Sequence, residues 1–234
     1  LQRRMRDWRA LHGPEREVYF EQEHPPGREA AFDFTCCNLL AVTIVGIAFP
    51  HLLYVLRLSY SGWMRASLAF SESFEALVRG LQDALWKLGG VPEFVRSDNL
   101  SAATHELKLT GGRALNRRFQ EVLDHYDLKS TRITPGNAHE NGGVEKANDL
   151  LKKALEQALV LRGSRDFGTV EAYTAFVEET VERSCNRHVH EALDGEWPLL
   201  HALPPAPVPS YTTITVKVRG WSTIRVNGRT YSVP

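Results

Sequence analysis

Two isolated acids, Asp33 and Asp98, stand where a strand should run, and a third acid, Glu145, opens a helix. Asp33 sits inside Glu29 to Cys37, a run whose apolar, aromatic and β-branched content predicts a strand. Asp98 follows Pro92 to Arg96, a short apolar strand, and Ser97. Glu145 lies in the first turn of a predicted helix that begins after the loop signal Asn141-Gly142-Gly143. Each acid has an ordinary reading. Asp33 could face solvent, Asp98 could cap a turn before Asn99, and Glu145 could simply favour the helix dipole. Together they suggest chemistry. Carboxylates converging at strand ends repel one another unless a divalent cation neutralises them, and hard oxygen ligands select Mg²⁺ or Mn²⁺. Two such ions about 3.5–4 Å apart activate a water or a 3′-hydroxyl and stabilise the leaving oxygen in phosphoryl transfer.

The elements that must position these acids are legible in outline. Glu29 to Cys37, Leu39 to Phe49 and Leu52 to Ser59 read as three consecutive strands of an antiparallel meander. Ser71 to Leu88 is an amphipathic helix with Phe74, Leu77, Val78, Leu81, Leu85 and Leu88 on one side, stopped by Gly89-Gly90. Pro92 to Arg96 is a fourth strand, Ala114 to Tyr126 a helix, and Lys129 to Ile133 a fifth strand. The helix carrying Glu145 runs to about Leu161, with Leu150, Leu151, Ala154, Leu155, Ala158 and Leu159 as its expected buried stripe. Val170 to Asn186 is a further, acidic helix. Asp194 to Ser210 holds five prolines and reads as a linker, and Thr212 to Val233 alternates like the opening strands of a small β-domain, with Asn227-Gly228 at a hairpin position.

Composition limits the possible partners. Lys plus Arg and Asp plus Glu are 28 each in 234 residues, but the charge is segregated. Leu1 to Arg16 has five Arg, Tyr211 to Pro234 has four cations and no acid, and Glu171 to Leu200 carries seven acids against two Arg. Basic ends around a balanced middle suit a polyanion, and zero net charge argues against a histone-like binder. Cys36, Cys37 and Cys185 show no Cys-x-x-Cys spacing, so neither a zinc site nor a disulfide framework is expected. No apolar run reaches membrane-spanning length. Leu1 reads as mid-helix, which suggests a fragment of a longer protein.

Arg96-Ser97-Asp98-Asn99-Leu100 and His139-Glu140-Asn141-Gly142-Gly143-Val144-Glu145-Lys146-Ala147-Asn148, with Asp33 in the first strand, resemble the DDE transposases and integrases of the RNase H-like superfamily. Among these the chain is most similar to the IS21-family transposase of IstA type, from about Glu17 to Asn186. The 47 positions between Asp98 and Glu145 exceed the spacing of retroviral integrases. The context Phe34-Thr35-Cys36 also differs from the Asp-Trp-Gly of many relatives. Glu140 competes as third carboxylate, and both the resemblance and the helix position favour Glu145.

The resemblance implies an α/β fold: an RNase H-like five-stranded mixed sheet with helices on both faces, plus the start of a small C-terminal β domain. Residues 1–16 would be a basic connector from a DNA-binding region, 17–192 the catalytic core, 193–210 a proline-rich linker and 211–234 the start of a truncated β-barrel-like domain. Asp33, Asp98 and Glu145 would be catalytic and hold two Mg²⁺ ions, with Mn²⁺ as substitute, for DNA 3′-end cleavage and strand transfer. Lys146, Asn148, Lys152 and Lys153 are the candidate DNA-binding residues. Implied partners are element-end and target DNA, further copies of the chain on that DNA, and an ATPase helper, in a bacterial cytoplasm at the nucleoid and without a membrane. An RNase H-like nuclease and an inactive DNA-binding or assembly module are the alternatives.

Overall fold

The computed structural model describes residues 23–97, 117–132, 142–211, 213, 215–226 and 228–233, with the backbone alone at 132 and 142–145. The chain opens with β1 (Glu29–Cys36), a 3₁₀ turn (Asn38–Leu40), β2 (Thr43–Ile44), β3 (Ile47–Ala48), β4 (Leu52–Leu58) and β5 (Met64–Ala69). Next come α1 (Phe74–Leu88), β6 (Phe94–Ser97), α2 (Arg117–His125), β7 (Lys129–Arg132) and α3 (Gly142–Arg162). The remainder is β8 (Asp166–Phe167), α4 (Val170–Thr180) running into a π-helical turn (Val181–Cys185), α5 (His190–Glu196), β9 (Thr223–Val226) and β10 (Arg229–Ser232).

Five strands make one mixed sheet in the order β5-β4-β1-β6-β7. The first three pair antiparallel, and β1, β6 and β7 run parallel. Alternation along each strand divides the core in two. Ala30, Phe32, Tyr54, Leu56 and Leu58 point to one face, where the buried stripe of α1 and Phe119, Val122 and Leu123 of α2 cover them. Leu53, Val55, Met64 and Ala66 point to the other, under Ala147, Leu151, Leu155 and Leu159 of α3 and Tyr173 and Val177 of α4. The sheet therefore has helices on both faces, as expected. Among the described residues, no helix is long and apolar enough to cross a membrane.

The meander differs from the expectation in its members. Leu39 to Phe49 is not a strand of the main sheet. It makes the 3₁₀ turn and a tight β2–β3 hairpin, because Ala41 and Val45 adopt left-handed backbone angles (φ 49° and 51°) that interrupt extension. The third strand is instead Met64–Ala69, whose Ala and Ser content gives little strand signal. On α3, Leu150 is half exposed and Ala147 takes the inward place.

Local chemistry fixes the element ends. Ser73 Oγ accepts the Ala76 N–H at the start of α1, and Gly89 (φ 80°) closes it in the left-handed conformation. Asn186, almost fully buried, accepts the Met64 N–H and donates to the Met64 carbonyl, which seals one residue of edge strand β5. Residues beyond α5 also pack on the first core through Leu200, Leu203 and Val208. The Gln82 side chain holds Val208 by both its N–H and its carbonyl, and His201 pairs with Val91.

Two core groups lead to testable outcomes. The Tyr54 ring lies against the backbone of Gly80, where an added Cβ would come within 2.4 Å of it, and its hydroxyl has no hydrogen-bond partner among the described residues. An unmade buried hydrogen bond costs about 1–3 kcal/mol, so Tyr54→Phe is expected to stabilise the fold by about 1 kcal/mol in urea unfolding.

His51 is buried with Nδ1 at 2.8 Å from the Phe49 carbonyl and Nε2 at 2.7 Å from Tyr173 Oη. The carbonyl requires the proton on Nδ1, so Nε2 accepts from the tyrosine. Burial pushes the His51 pKa below its ordinary value, against the opposing pull of the Phe49 carbonyl. In the unfolded chain the ring protonates near pH 6.5, before the folded one does. Stability is therefore full above that pH and falls on acidification, by up to about 1.4 kcal/mol per pH unit for this group. Urea midpoints at pH 7.5 and 5.5 are expected to converge in His51→Gln.

Candidate active site

Asp33 is the fifth residue of β1, opposite Val55 of β4, and it faces the side of the sheet covered by α3. Its Oδ1 accepts the Phe34 N–H at 2.8 Å. Its Oδ2 accepts from Asn148 Nδ2 of α3 at 2.9 Å. The carboxylate is thus oriented from two sides, by its own strand and by the helix that crosses it. Asn148 is only 7% exposed, and its Oδ1 has no partner among the described residues.

The neighbouring strand leads toward the same place. β6 runs parallel to β1 with its final residue, Ser97, in register with Phe32. Asp98 is the next residue in sequence and lies outside the described residues, as do Glu140 and the Glu145 side chain. Glu145 itself belongs to α3, three positions before Asn148, and positions i and i+3 share a helix face. Among the described residues, no three His, Cys, Asp or Glu side chains converge.

The expected DNA-contacting residues divide. Lys146 and Lys153 are exposed. Lys152 is half-buried beside the end of β1, where its charge slightly offsets the burial that pushes the Cys37 thiol up to about 11. Asn148 turns inward, to Asp33. The sequence expectation groups Asn148 with the DNA-contacting lysines, and the structure adds its bond to Asp33. The spacing Glu145-x-x-Asn148 was the available sign that it shares a face with the acid. On α2, Arg118 lies over the Phe74 ring at 4.3 Å and pairs with Glu75, and Arg117 makes an exposed pair with Glu121.

No family model matches the chain. A protein of Sinorhizobium fredii named only as uncharacterized is 42% identical over 235 residues, which covers all of this chain and 46% of that protein. The transposase for insertion sequence element IS232 of Bacillus thuringiensis subsp. berliner is 25% identical over 222 residues, covering 91% of this chain and 50% of the transposase. The chain thus spans about half the length of these curated relatives. Among solved structures, a chain of the simian T-cell lymphotropic virus intasome, in complex with PP2A regulatory subunit B56 gamma, superposes with a TM-score of 0.53. It is 18% identical and covers 90% of this chain and 67% of its own. The HTLV-2 integrase catalytic core domain, solved with magnesium in a trimeric form, gives 0.50 at 16% identity, over 72% of this chain and 100% of its own. The fold is RNase H-like, as in integrase catalytic cores.

Proposed function

We propose that this chain is the catalytic core of a DDE-type transposase, close to the IS21 family, which cleaves the 3′ ends of its element and joins them to target DNA. The observation that carries this reading is the Asn148–Asp33 hydrogen bond, which fastens the first turns of α3 over the strand that bears the first acid. Supporting it are the register that ends β6 beside Phe32, one residue before Asp98, and the similarity to the IS232 transposase. Asp33, Asp98 and Glu145 are then the catalytic set. On this reading residues 17–192 are the core, 1–16 a connector, 193–210 a linker and 211–234 the start of a β-domain.

The residues present suit a hard divalent cation. Asp33 offers a carboxylate held in one orientation, and Asn148 Oδ1 is a buried acceptor without a partner among the described residues. Two Mg²⁺ or Mn²⁺ ions, when bound, supply Lewis-acid activation of the attacking and leaving oxygens. Asp33, Asp98 and Glu145 would hold them. Asn148 keeps the Asp33 carboxylate in its binding orientation. Lys146, Lys152 and Lys153 would contact DNA phosphates near the cleaved end, fixing register without reading sequence. An assembly of copies on DNA and an ATPase helper belong to the same proposal.

Strand transfer by the full-length parent, with Mg²⁺ or Mn²⁺ and a pre-cut DNA end, tests it. Asp98→Asn and Glu145→Gln are expected to abolish joining while Glu140→Gln retains it. Loss in Glu140→Gln with full activity in Glu145→Gln would move the third ligand. DNA binding without joining under either metal would sink the catalytic reading.

A further inference from the structure

Proline content alone marks Asp194 to Ser210 as a linker, yet the chain from Trp197 to Val208 runs along a fixed track. His201 exchanges both backbone hydrogen bonds with Val91, at 2.8 and 2.9 Å. His125 Nε2, at the end of α2, donates to the Ala206 carbonyl at 2.8 Å. Gln82 of α1 accepts the Val208 N–H at 2.6 Å and donates to the Val208 carbonyl at 2.9 Å. Leu200, Leu203 and Val208 pack on the core beneath. Three separate places on the core thus grip one short stretch.

The track is recessed into the core. A Cβ at Gly90 would come within 2.8 Å of Leu200 Cβ, and one at Gly27 equally close to Leu199 Cβ. The absence of side chains at these two positions lets the stretch lie flat. Gln82 is itself fixed, being only 7% exposed. Its Oε1 also accepts from Tyr126 Oη at 2.7 Å, which accepts in turn from Trp86 Nε1 at 3.2 Å. Such a connected buried amide turns away only by giving up several hydrogen bonds together. Pro198, Pro204, Pro205 and Pro207 fix their own φ and leave less chain freedom to lose on docking.

The holds stop at Val208. Between it and Arg219, whose N–H donates to the Thr223 carbonyl, no backbone–backbone hydrogen bond is made among the described residues. Pro209 and Tyr211 are exposed. Beyond them the chain carries Lys217, Arg219, Arg225 and Arg229 and no acid.

We infer that Trp197 to Val208 is a strap that fixes where the tail leaves the core, and that the tail pivots on Pro209 to Tyr211. The device is a short leash. Eleven positions separate Val208 from Arg219, a reach of at most about 40 Å, and a tether at the end of α5 would allow about twice that. The leash also starts on the α1–α2 side of the sheet, the face opposite to that of Asp33. The strap therefore limits both the side and the radius from which the tail presents its cations. The linker of the proposed domain reading narrows to the residues after Val208. The strap rests on these contacts and not on the catalytic reading.

Amide hydrogen exchange of the 234-residue chain, resolved by residue in NMR, decides it. The His201 and Val208 amides are expected to exchange at least about a hundredfold more slowly than unstructured chain, and the Tyr211 amide without protection. Gln82→Ala should speed exchange at Val208 at least about tenfold, through loss of its acceptor. Leu203→Ser, at a half-buried place on the strap itself, should do the same and keeps the test open if Gln82→Ala fails to fold. His201 and Val208 amides as fast as Tyr211 in the wild type overturn the strap. So does Val208 exchange unchanged in both variants, and a protected Tyr211 overturns the pivot. No metal or DNA enters the measurement, so its outcome is independent of the strand-transfer test.

Discussion

Asp33→Asn is expected to reduce strand transfer by at least about a thousandfold while leaving the fold intact. The substitution keeps the shape of the side chain and its acceptor oxygen toward the Phe34 N–H. It removes the charge that a divalent cation needs, and a thousandfold loss corresponds to about 4 kcal/mol of transition-state stabilisation. The amide of the new Asn would also turn an N–H toward Asn148 Nδ2 unless Asn148 flips, and its Oδ1, without a partner among the described residues, lets it do so. Asn148→Ala should therefore behave differently from Asp33→Asn. Loss of a group that only orients Asp33 is expected to lower joining about 10–100-fold and to weaken Mn²⁺ binding, the cost typical of removing an outer partner of a metal ligand. Full activity in Asp33→Asn, with Mg²⁺, would remove the first carboxylate from the mechanism.

Glu196 carries the second large effect, on stability. It is fully buried at the end of α5. Its Oε1 accepts the Gly27 N–H at 3.0 Å and its Oε2 the Ser61 N–H at 3.1 Å. One carboxylate thus joins the turn before β1, the β4–β5 turn and the last helix. Glu196→Ala leaves two buried N–H groups without an acceptor, at about 1–3 kcal/mol each. The expected loss is about 2–5 kcal/mol in urea unfolding, a large part of the 5–15 kcal/mol of a typical domain. Glu196→Gln should fall between, since its amide can accept only one of the two bonds. A change below about 1 kcal/mol in Glu196→Ala would mean that water satisfies both groups.

The sequence was most readable where one periodicity dominated. The stripe Leu77, Val78, Leu81, Leu85, Leu88 marks α1 unambiguously, and these residues are buried as expected. Asp33 stands out in the sequence because a lone acid in an apolar strand has few structural uses, and its place in β1 beneath α3 is as the strand pattern predicts. The errors arose where context overrode composition. Leu39 to Phe49 is rich in β-branched residues, yet Ala41 and Val45 bend it into a turn and a hairpin. Met64–Ala69 lacks such residues, and becomes a strand because β4 pairs with it and helices cover both its faces. Asn148 was invisible as a partner of Asp33, since periodicity gives the face of a helix but not which polar group on that face turns inward. The proline-rich stretch gave no sign that Gln82 would bind the backbone of Val208, because that contact spans 126 positions.

The small sheet of β3, β2 and β8 has a bearing on how the molecule folds. β4 and β5 are close in sequence, whereas the Thr43–Asp166 bond closes a separation of 123 positions. Contacts of such range are costly in chain entropy until the intervening elements are in place. β8 follows α3 directly in the chain, so its pairing with β2 is expected to form late in folding and to open early in partial unfolding. The left-handed turn at Val45 is thus expected to mark completion, its amide protected from exchange only once the helix crossing Asp33 is docked.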